Sequence, residues 1–332
     1  MIGENPLENQ YLWDKLYGAG LAGMEGPVGL YVPGRSWWPL RPYQAAMAAV
    51  DIALWDIKAK AAGLSVCRLL GGHPKPVTAY LSKAFYVKDQ SLEEMCEEAV
   101  EELEKGGYRH MKMRAGRYGK DDAIRRIKAV REAVVSEMRI GVDINQFFDY
   151  ETARATAKEA EQYDLMWIEE PLPREPKGSD LKRALYDWDE LLGQLAEETS
   201  IPMSSGENHF NLADCRSLVN KGGIKYMQYD VTKCGGVTEW MKSAALCEAA
   251  GIQLAPHHVP HFHVQLAAAM HGDNIIECYD NARQHPAWPH LFNGFPEVHG
   301  GKMECPDGPG WGMEINDDFL KKYGTAVSWD FK

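Results

Sequence analysis

Six short apolar runs in this chain each end in a carboxylate or a histidine. They are MRIGVD at Asp143, DLMWIEE at Glu169 or Glu170, IPMSSGE at Glu207, IKYMQYD at Asp230, IQLAPH at His257 and NIIE at Glu277. A seventh run nearer the N-terminus, YRHMKMR, carries Lys112 and Arg114. The intervals from Asp143 onward are 26, 38, 23, 27 and 20 residues, counting the fourth run from Glu169. Each is the length of a strand, a helix and two loops. Ionisable strand ends in steady succession describe a closed ring of parallel strands that aims its chemistry at one face.

The segments between these runs read as helices. SLEEMCEEAVEELEKGG has Ser91 as N-cap, Glu94 three residues on and a glycine stop. KDDAIRRIKAVREAV and ETARATAKEAEQY are clear helices as well. The alternation predicts an α/β chain with a (β/α)8 TIM-type barrel over residues 76–299. A doubly wound open sheet gives a similar signal, but no GxGxxG follows any strand. Residues 1–75 read as a reduced, mainly helical capping segment: a short helix at WDKLYGAG, then RPYQAAMAAVDIALWDIKAKAAG ending at Gly63. The tail, rich in Pro, Gly and Trp, packs back so that 300–332 complete the cap. Residues 172–199, with PREPKGSD, interrupt the rhythm and are expected to form an extended loop on the active-site face.

Charge and composition exclude several classes. The chain has 332 residues and a formal net charge of -12, which argues against nucleic acid. No apolar stretch is long enough for a membrane span; AAMAAVDIALW is broken by Asp51. The start, MIGENPLENQ, lacks a basic-then-apolar leader pattern. Seven scattered cysteines without CxxC suit buried thiols and a reducing cytoplasm.

Asp143, a glutamate of the fourth run and Glu207 end three consecutive strands. Three close carboxylates repel unless a cation sits among them, and an all-oxygen set suits Mg2+ or Mn2+ over zinc. Glu169 and Glu170 point to opposite faces, so periodicity leaves open which of them joins the set. Asp230 and His257 come from neighbouring strands, where a carboxylate fixes the imidazole tautomer and raises its basicity. His258, His261 and His263 cluster with His257 in HHVPHFH, but no cysteine flanks them to complete a zinc site. Lys112 and Arg114 share one face of the second strand, and both can hold a substrate carboxylate. A lysine serves as a base only when its pKa is depressed, and arginine is a poor base throughout. Glu277 could donate a hydrogen bond to an enolate oxygen if burial keeps it protonated. Together the residues point to a metal-stabilised enolate, with His257 removing a carbon-bound proton next to a substrate carboxylate.

The motifs VDIALWDIKAKAAG with RLLGG, KxR, VDINQ, WIEEP, SGEN and YDVTKCGGVTE, with a strand-seven histidine and a strand-eight glutamate, resemble the mandelate racemase subgroup of the enolase superfamily. The likeness runs from about residue 40 to about residue 315. It implies metal ligands Asp143, Glu169 and Glu207, a His257–Asp230 dyad, and Glu277 as electrophilic partner. Two departures carry weight. The subgroup commonly has KxK on the second strand, its second lysine being a base; here that position is Arg114, which disfavours racemisation and favours dehydration. The family also begins with an antiparallel meander, and this sequence starts beyond it. The resemblance implies a Mg2+-dependent lyase that dehydrates a small-molecule sugar acid to a 2-keto-3-deoxy acid, in a protein that assembles as a homo-oligomer. A racemase or epimerase on the same site, and a catalytically silent barrel acting as a binding protein, are the competing expectations.

Overall fold

The computed structural model describes residues 2–23, 40–174, 187–280 and 283–325. Eight strands alternate with helices along the chain: β1 (Val77–Lys83), β2 (His110–Arg114), β3 (Arg139–Asp143), β4 (Leu165–Glu169), β5 (Met203–Ser205), β6 (Ile224–Met227), β7 (Gln253–Leu254) and β8 (Ile275–Tyr279). Neighbours from β1 to β7 pair in parallel, and β8 pairs in parallel with β1. At the remaining seam β7 lies beside β8, and the Leu254 N–H donates to the Asn274 side chain just ahead of β8. The chain therefore forms the (β/α)8 barrel that the spacing predicts.

Helices α1 (Asn9–Gly23), α2 (Leu40–Ala62) and α3 (Val66–Leu69) precede the barrel. Helices α4 (Leu92–Glu104), α5 (Lys120–Val134), α6 (Tyr150–Ala160), α7 (Trp188–Glu197), α8 (Leu212–Lys221), α9 (Val237–Ala249) and α10 (Pro260–Ala269) follow β1 to β7 in turn. Local chemistry sets their starts. Ser91 and Glu94 form a reciprocal capping box on α4, and Asp149, Asp187 and Asn211 cap α6, α7 and α8. Of the expected 172–199 loop, residues 188–197 are helix α7, while 175–186 lie outside the described residues. The first strand is also shorter than the run VTAYLSKAFYV, ending at Lys83 before Ala84 takes a positive φ.

Two apolar clusters hold the barrel. The larger joins the outward faces of the strands to the helices. The smaller fills the interior with Tyr80, Met166, Trp167, Tyr226, Ala255 and Ile275. Trp167 is central to it, edge-on to Tyr80 at 5.2 Å and tilted against Tyr226 at 4.8 Å. Its indole lies where a side chain at residue 141 would stand: a Cβ on Gly141 would come within 2.6 Å of the ring.

The N-terminal helices dock through polar anchors. Asp51 of α2 accepts from the Thr238 N–H at 2.9 Å and from its hydroxyl at 2.6 Å, capping α9 from another element. Gly236, with φ +96°, lets that carboxylate approach, since a Cβ there would fall 2.5 Å from Asp51. The tail returns to both parts. Met303 pairs with Val77 of β1, Gly310 bonds to Leu64 and Val66, and the Trp311 indole N–H donates to Ile52.

Candidate active site

The C-terminal ends of the strands gather every sequence-predicted site residue. Asp143 and Glu169 are the last residues of β3 and β4, in register across the ladder. Glu207, Asp230 and His257 lie in the loops just past β5, β6 and β7, and Glu277 lies within β8. The backbone here is unusually bent. Of nine described non-glycine residues with positive φ, six (Ala84, Asn145, Gln146, Glu170, His258 and Val259) lie within five residues of the C-terminal end of β1, β3, β4 or β7. Strain of this kind persists where the surroundings over-determine it, and it collects at functional sites.

Carboxylate oxygens of Asp143, Glu169 and Glu207 all lie within 4.8 Å of one another, a trio that can hold one metal ion. Each is oriented by its own donors. The Asn145 N–H donates to Asp143 at 2.7 Å. Glu169 accepts from Lys112 at 2.8 Å, from the Trp167 indole at 3.1 Å and from Gln228 at 2.5 Å. Asn208 donates to Glu207 at 3.1 Å. Burial and the neighbouring Asp143 charge push the Glu169 carboxyl well above the ordinary range, against the pull of Lys112. Burial pushes Glu207 the same way, but His257 and Lys233 outweigh it and hold it below its usual value. Of the two candidate glutamates, Glu169 is the one that lies in this trio. Glu170 turns away from the trio to Gln146 and Asn208, each at 2.6 Å.

His257 stands against this trio. Its Nδ1 is 2.8 Å from Asp230 Oδ2 and its Nε2 is 3.1 Å from Glu207 Oε2. Burial alone would lower its pKa, but Glu207 and Asp230 outweigh burial and raise it. The Asp230 carboxyl is itself held well below its usual range: burial opposes ionisation, and the hydrogen bond and charge of His257 prevail. The remaining Asp230 oxygen accepts from the Thr232 N–H and hydroxyl, so the carboxylate cannot rotate freely.

Two roles were conditional on pKa. Lys112 is fully buried, 2.8 Å from both Glu169 and Glu277 and 3.8 Å from Asp143. Burial would lower its pKa, but these carboxylates raise it well above normal, so the depressed pKa that a lysine base requires is not met here. The same lysine alters Glu277. Burial alone would keep that carboxyl protonated, the condition under which it could donate to an enolate oxygen; here Lys112, His257 and the His258 N–H at 2.8 Å hold its pKa far below the usual range. Arg114 pairs directly with Asp143 and is likewise held charged, the carboxylates outweighing burial.

Several supporting residues escaped the sequence reading. Gln228 lies two residues before Asp230, and Trp167 two before Glu169, so strand alternation could have marked both as facing inward. Lys233 of the KCGG motif reaches the Glu207 carbonyl at 3.4 Å. His263 is buried with both ring nitrogens engaged: Nε2 accepts the Val231 N–H at 3.1 Å, and Nδ1 donates to the His258 carbonyl at 2.8 Å. It thus ties the loop that carries Asp230 to the loop that carries His257, a long-range link with no local signal. His258, His261 and His263 do not converge on a metal; among the described residues only the carboxylate trio does so.

The chain matches known proteins over nearly its whole length. Residues 94–319 match the enolase C-terminal domain-like family, and residues 3–71 match the mandelate racemase/muconate lactonizing enzyme N-terminal domain. The L-talarate/galactarate dehydratase of Salmonella typhimurium is 31% identical over 318 residues, covering 96% of this chain and 71% of that protein. The arabinonate dehydratase of Saccharolobus solfataricus is 29% identical over 321 residues, covering 95% and 78%. Among solved structures, the L-talarate dehydratase from Polaromonas sp. JS666 complexed with Mg and L-glucarate superposes with a TM-score of 0.79 at 31% identity, covering 96% of this chain and 80% of that one. With two domain models matched in order and a barrel carrying the acidic trio, the chain belongs to the mandelate racemase subgroup of the enolase superfamily.

Proposed function

We propose that this protein dehydrates a sugar acid to a 2-keto-3-deoxy acid with the help of Mg2+. The observation that carries the reading is the meeting of the Asp143–Glu169–Glu207 trio with His257 Nε2, 3.1 Å from Glu207, at one end of the barrel. The donor set is all oxygen and matches a hard divalent cation, Mg2+ or Mn2+. When bound, that ion supplies the positive charge a weakly acidic carbon needs beside a carboxylate that becomes an enolate. Relatives at about this level of identity are named as arabinonate and talarate/galactarate dehydratases, which supports a sugar acid as substrate.

The chain's own residues then divide the work. Arg114, which lines the cavity and is held charged, faces the substrate carboxylate and offsets its growing negative charge, and Lys112, fully buried behind Glu169 and Glu277, adds its positive charge from beneath. Asp230 keeps the proton on His257 Nδ1, so that Nε2 presents its lone pair to the α-proton. Once the carbon–hydrogen pair has passed into the enolate, the β-hydroxyl leaves with its bonding electrons. His257 returns a proton to it, so water departs and the enol relaxes to the 2-keto acid. Glu277, ionised, keeps Lys112 and the His258 backbone in place and does not donate.

A racemase needs a second competent base, and the second-strand position that would provide it is Arg114, paired with Asp143. The test is a panel of aldonates and aldarates with Mg2+, read by semicarbazide trapping of the 2-keto product. Wild type should form product from some member, and His257→Asn should lose about 10²–10⁴-fold of the rate. Exchange of the α-proton without water loss would favour the racemase instead, and product formed equally well by His257→Asn would refute the assignment.

A further inference from the structure

A cavity of about 730 Å³ opens beside the site and indicates which way a substrate extends. One end is formed by Arg114 and His257; the other is built from the ends of β1 and β8, with Lys83, Glu98, Asp280, Arg283 and Gln284. A sugar acid whose carboxylate sits at the trio therefore runs its hydroxyl-bearing chain toward this far wall.

The charges of that wall are already committed. Lys83 is nearly buried, and its ammonium is 2.9 Å from Glu102 and 3.1 Å from Asp280. Arg283 is paired with Glu98 at 2.6 Å. Among the lining residues Lys83 and Arg283 are matched by Asp280 and Glu98, and Glu102, which stands behind Lys83 and does not line the cavity, gives the cluster one more carboxylate than cation. His258 and His285, which line the same side with Tyr279, add no charge: burial holds both imidazoles below their usual pKa, His258 at about 4. What the wall offers is chiefly acceptors, the Asp280 and Glu98 oxygens, beside a Gln284 amide that is itself held by the Ser82 carbonyl at 3.4 Å and the Asp280 N–H at 3.1 Å. Sugar hydroxyls donate to carboxylates readily. A second carboxylate placed there would meet like charge without a free cation among the described residues, and would be desolvated at a cost.

We propose that the far wall is a polyol subsite, which selects sugar acids with one carboxylate (aldonates) over those with two (aldarates). The inference rests on the dehydratase reading for the placement of the first carboxylate. It divides the relatives, whose names include acids of both kinds.

Pentonates and hexonates are compared with the corresponding aldarates by kcat/KM at saturating Mg2+. The best aldonate should exceed the best aldarate by about tenfold or more. Asp280→Asn, which removes a charge from the wall, should narrow that ratio about fivefold by improving the aldarate. An aldarate that equals or exceeds every aldonate overturns the proposal, and so does a ratio unmoved by Asp280→Asn together with Glu98→Gln. A separate arm does not depend on turnover: calorimetric binding of both acid classes to Mg2+-loaded His257→Asn protein. Preferential aldonate binding there upholds the subsite even if no substrate is dehydrated, in which case only the dehydratase reading fails. Equal or tighter aldarate binding refutes the subsite.

Discussion

Asp230 decides which nitrogen of His257 faces the acidic trio. With Oδ2 accepting from Nδ1 at 2.8 Å, and Thr232 holding the other oxygen, only Nε2 is left to face Glu207. An asparagine at 230 could present its amide N–H to the ring and stabilise the opposite tautomer. Asp230→Asn should therefore lower kcat by about 10²–10⁴-fold while leaving KM and Mg2+ affinity nearly unchanged. Steady-state kinetics with metal titration check this, and a variant that lost affinity and rate in equal measure would point to a collapsed site. The same scale shows where the sequence was readable. Asp143, Glu207, Asp230 and His257 stand out because a charged residue closing an apolar run is costly unless it has a task. The protonation state of Glu277 was not readable, because it depends on Lys112, which approaches from β2, two strands away across β1 and remote in the chain, at 2.8 Å.

At the scale of elements, the barrel strands were legible as apolar runs of nearly constant spacing, and the helices as amphipathic segments with caps. Strand limits were not. Glu207, Asp230 and His257 fall in loops because the ladders end at Ser205, Met227 and Leu254, and the bends that follow are set by tertiary contacts such as the His258 N–H to Glu277. Nor did the sequence reveal that α9 is capped from outside by Asp51, since that partner is remote in the chain. One element-level coupling can be tested. Gly141 of β3 leaves room for the Trp167 indole of β4, and that indole donates to Glu169 at 3.1 Å. Gly141→Ala should push the ring aside, destabilising the fold by about 1–3 kcal/mol. It should also weaken divalent-metal binding about tenfold or more through the misplaced Glu169. Chemical denaturation and calorimetric metal titration read the two effects. Loss of stability with unchanged metal affinity would show that the indole does not position Glu169.

For the whole molecule, pH is the broadest probe. His261 and His263 are buried, and burial holds their pKa at about 3 and about 4, below the ordinary 6.5. The unfolded chain therefore binds more protons than the folded one between the two values. Stability from these groups is complete above about pH 6.5 and is lost as pH falls toward 4. Each contributes on the order of 3 kcal/mol across that window. Asp51 and Glu170, pushed up by burial to about 6 and about 7, act in the opposite sense, so the readout is the difference between variants: His263→Gln should lose less stability than wild type in urea between pH 7 and pH 4.5, and an unchanged slope would contradict the neutral, doubly bonded state of His263. The N-terminal helices bond to the barrel through Asp51 and Thr238 and to the returning tail through Ile52 with Trp311 and Leu64 and Val66 with Gly310.

The proposed dehydration requires a divalent ion held by Asp143, Glu169 and Glu207 in front of His257. The most direct measurement is turnover of the best sugar acid after exhaustive chelation, followed by stepwise return of Mg2+. Activity should vanish with the metal and return at about one equivalent of tightly bound ion per chain, whereas Asp143→Asn should fail to recover it at the same concentration. Turnover that persists in chelator, or an Asp143→Asn protein that recovers like wild type, would contradict the claim.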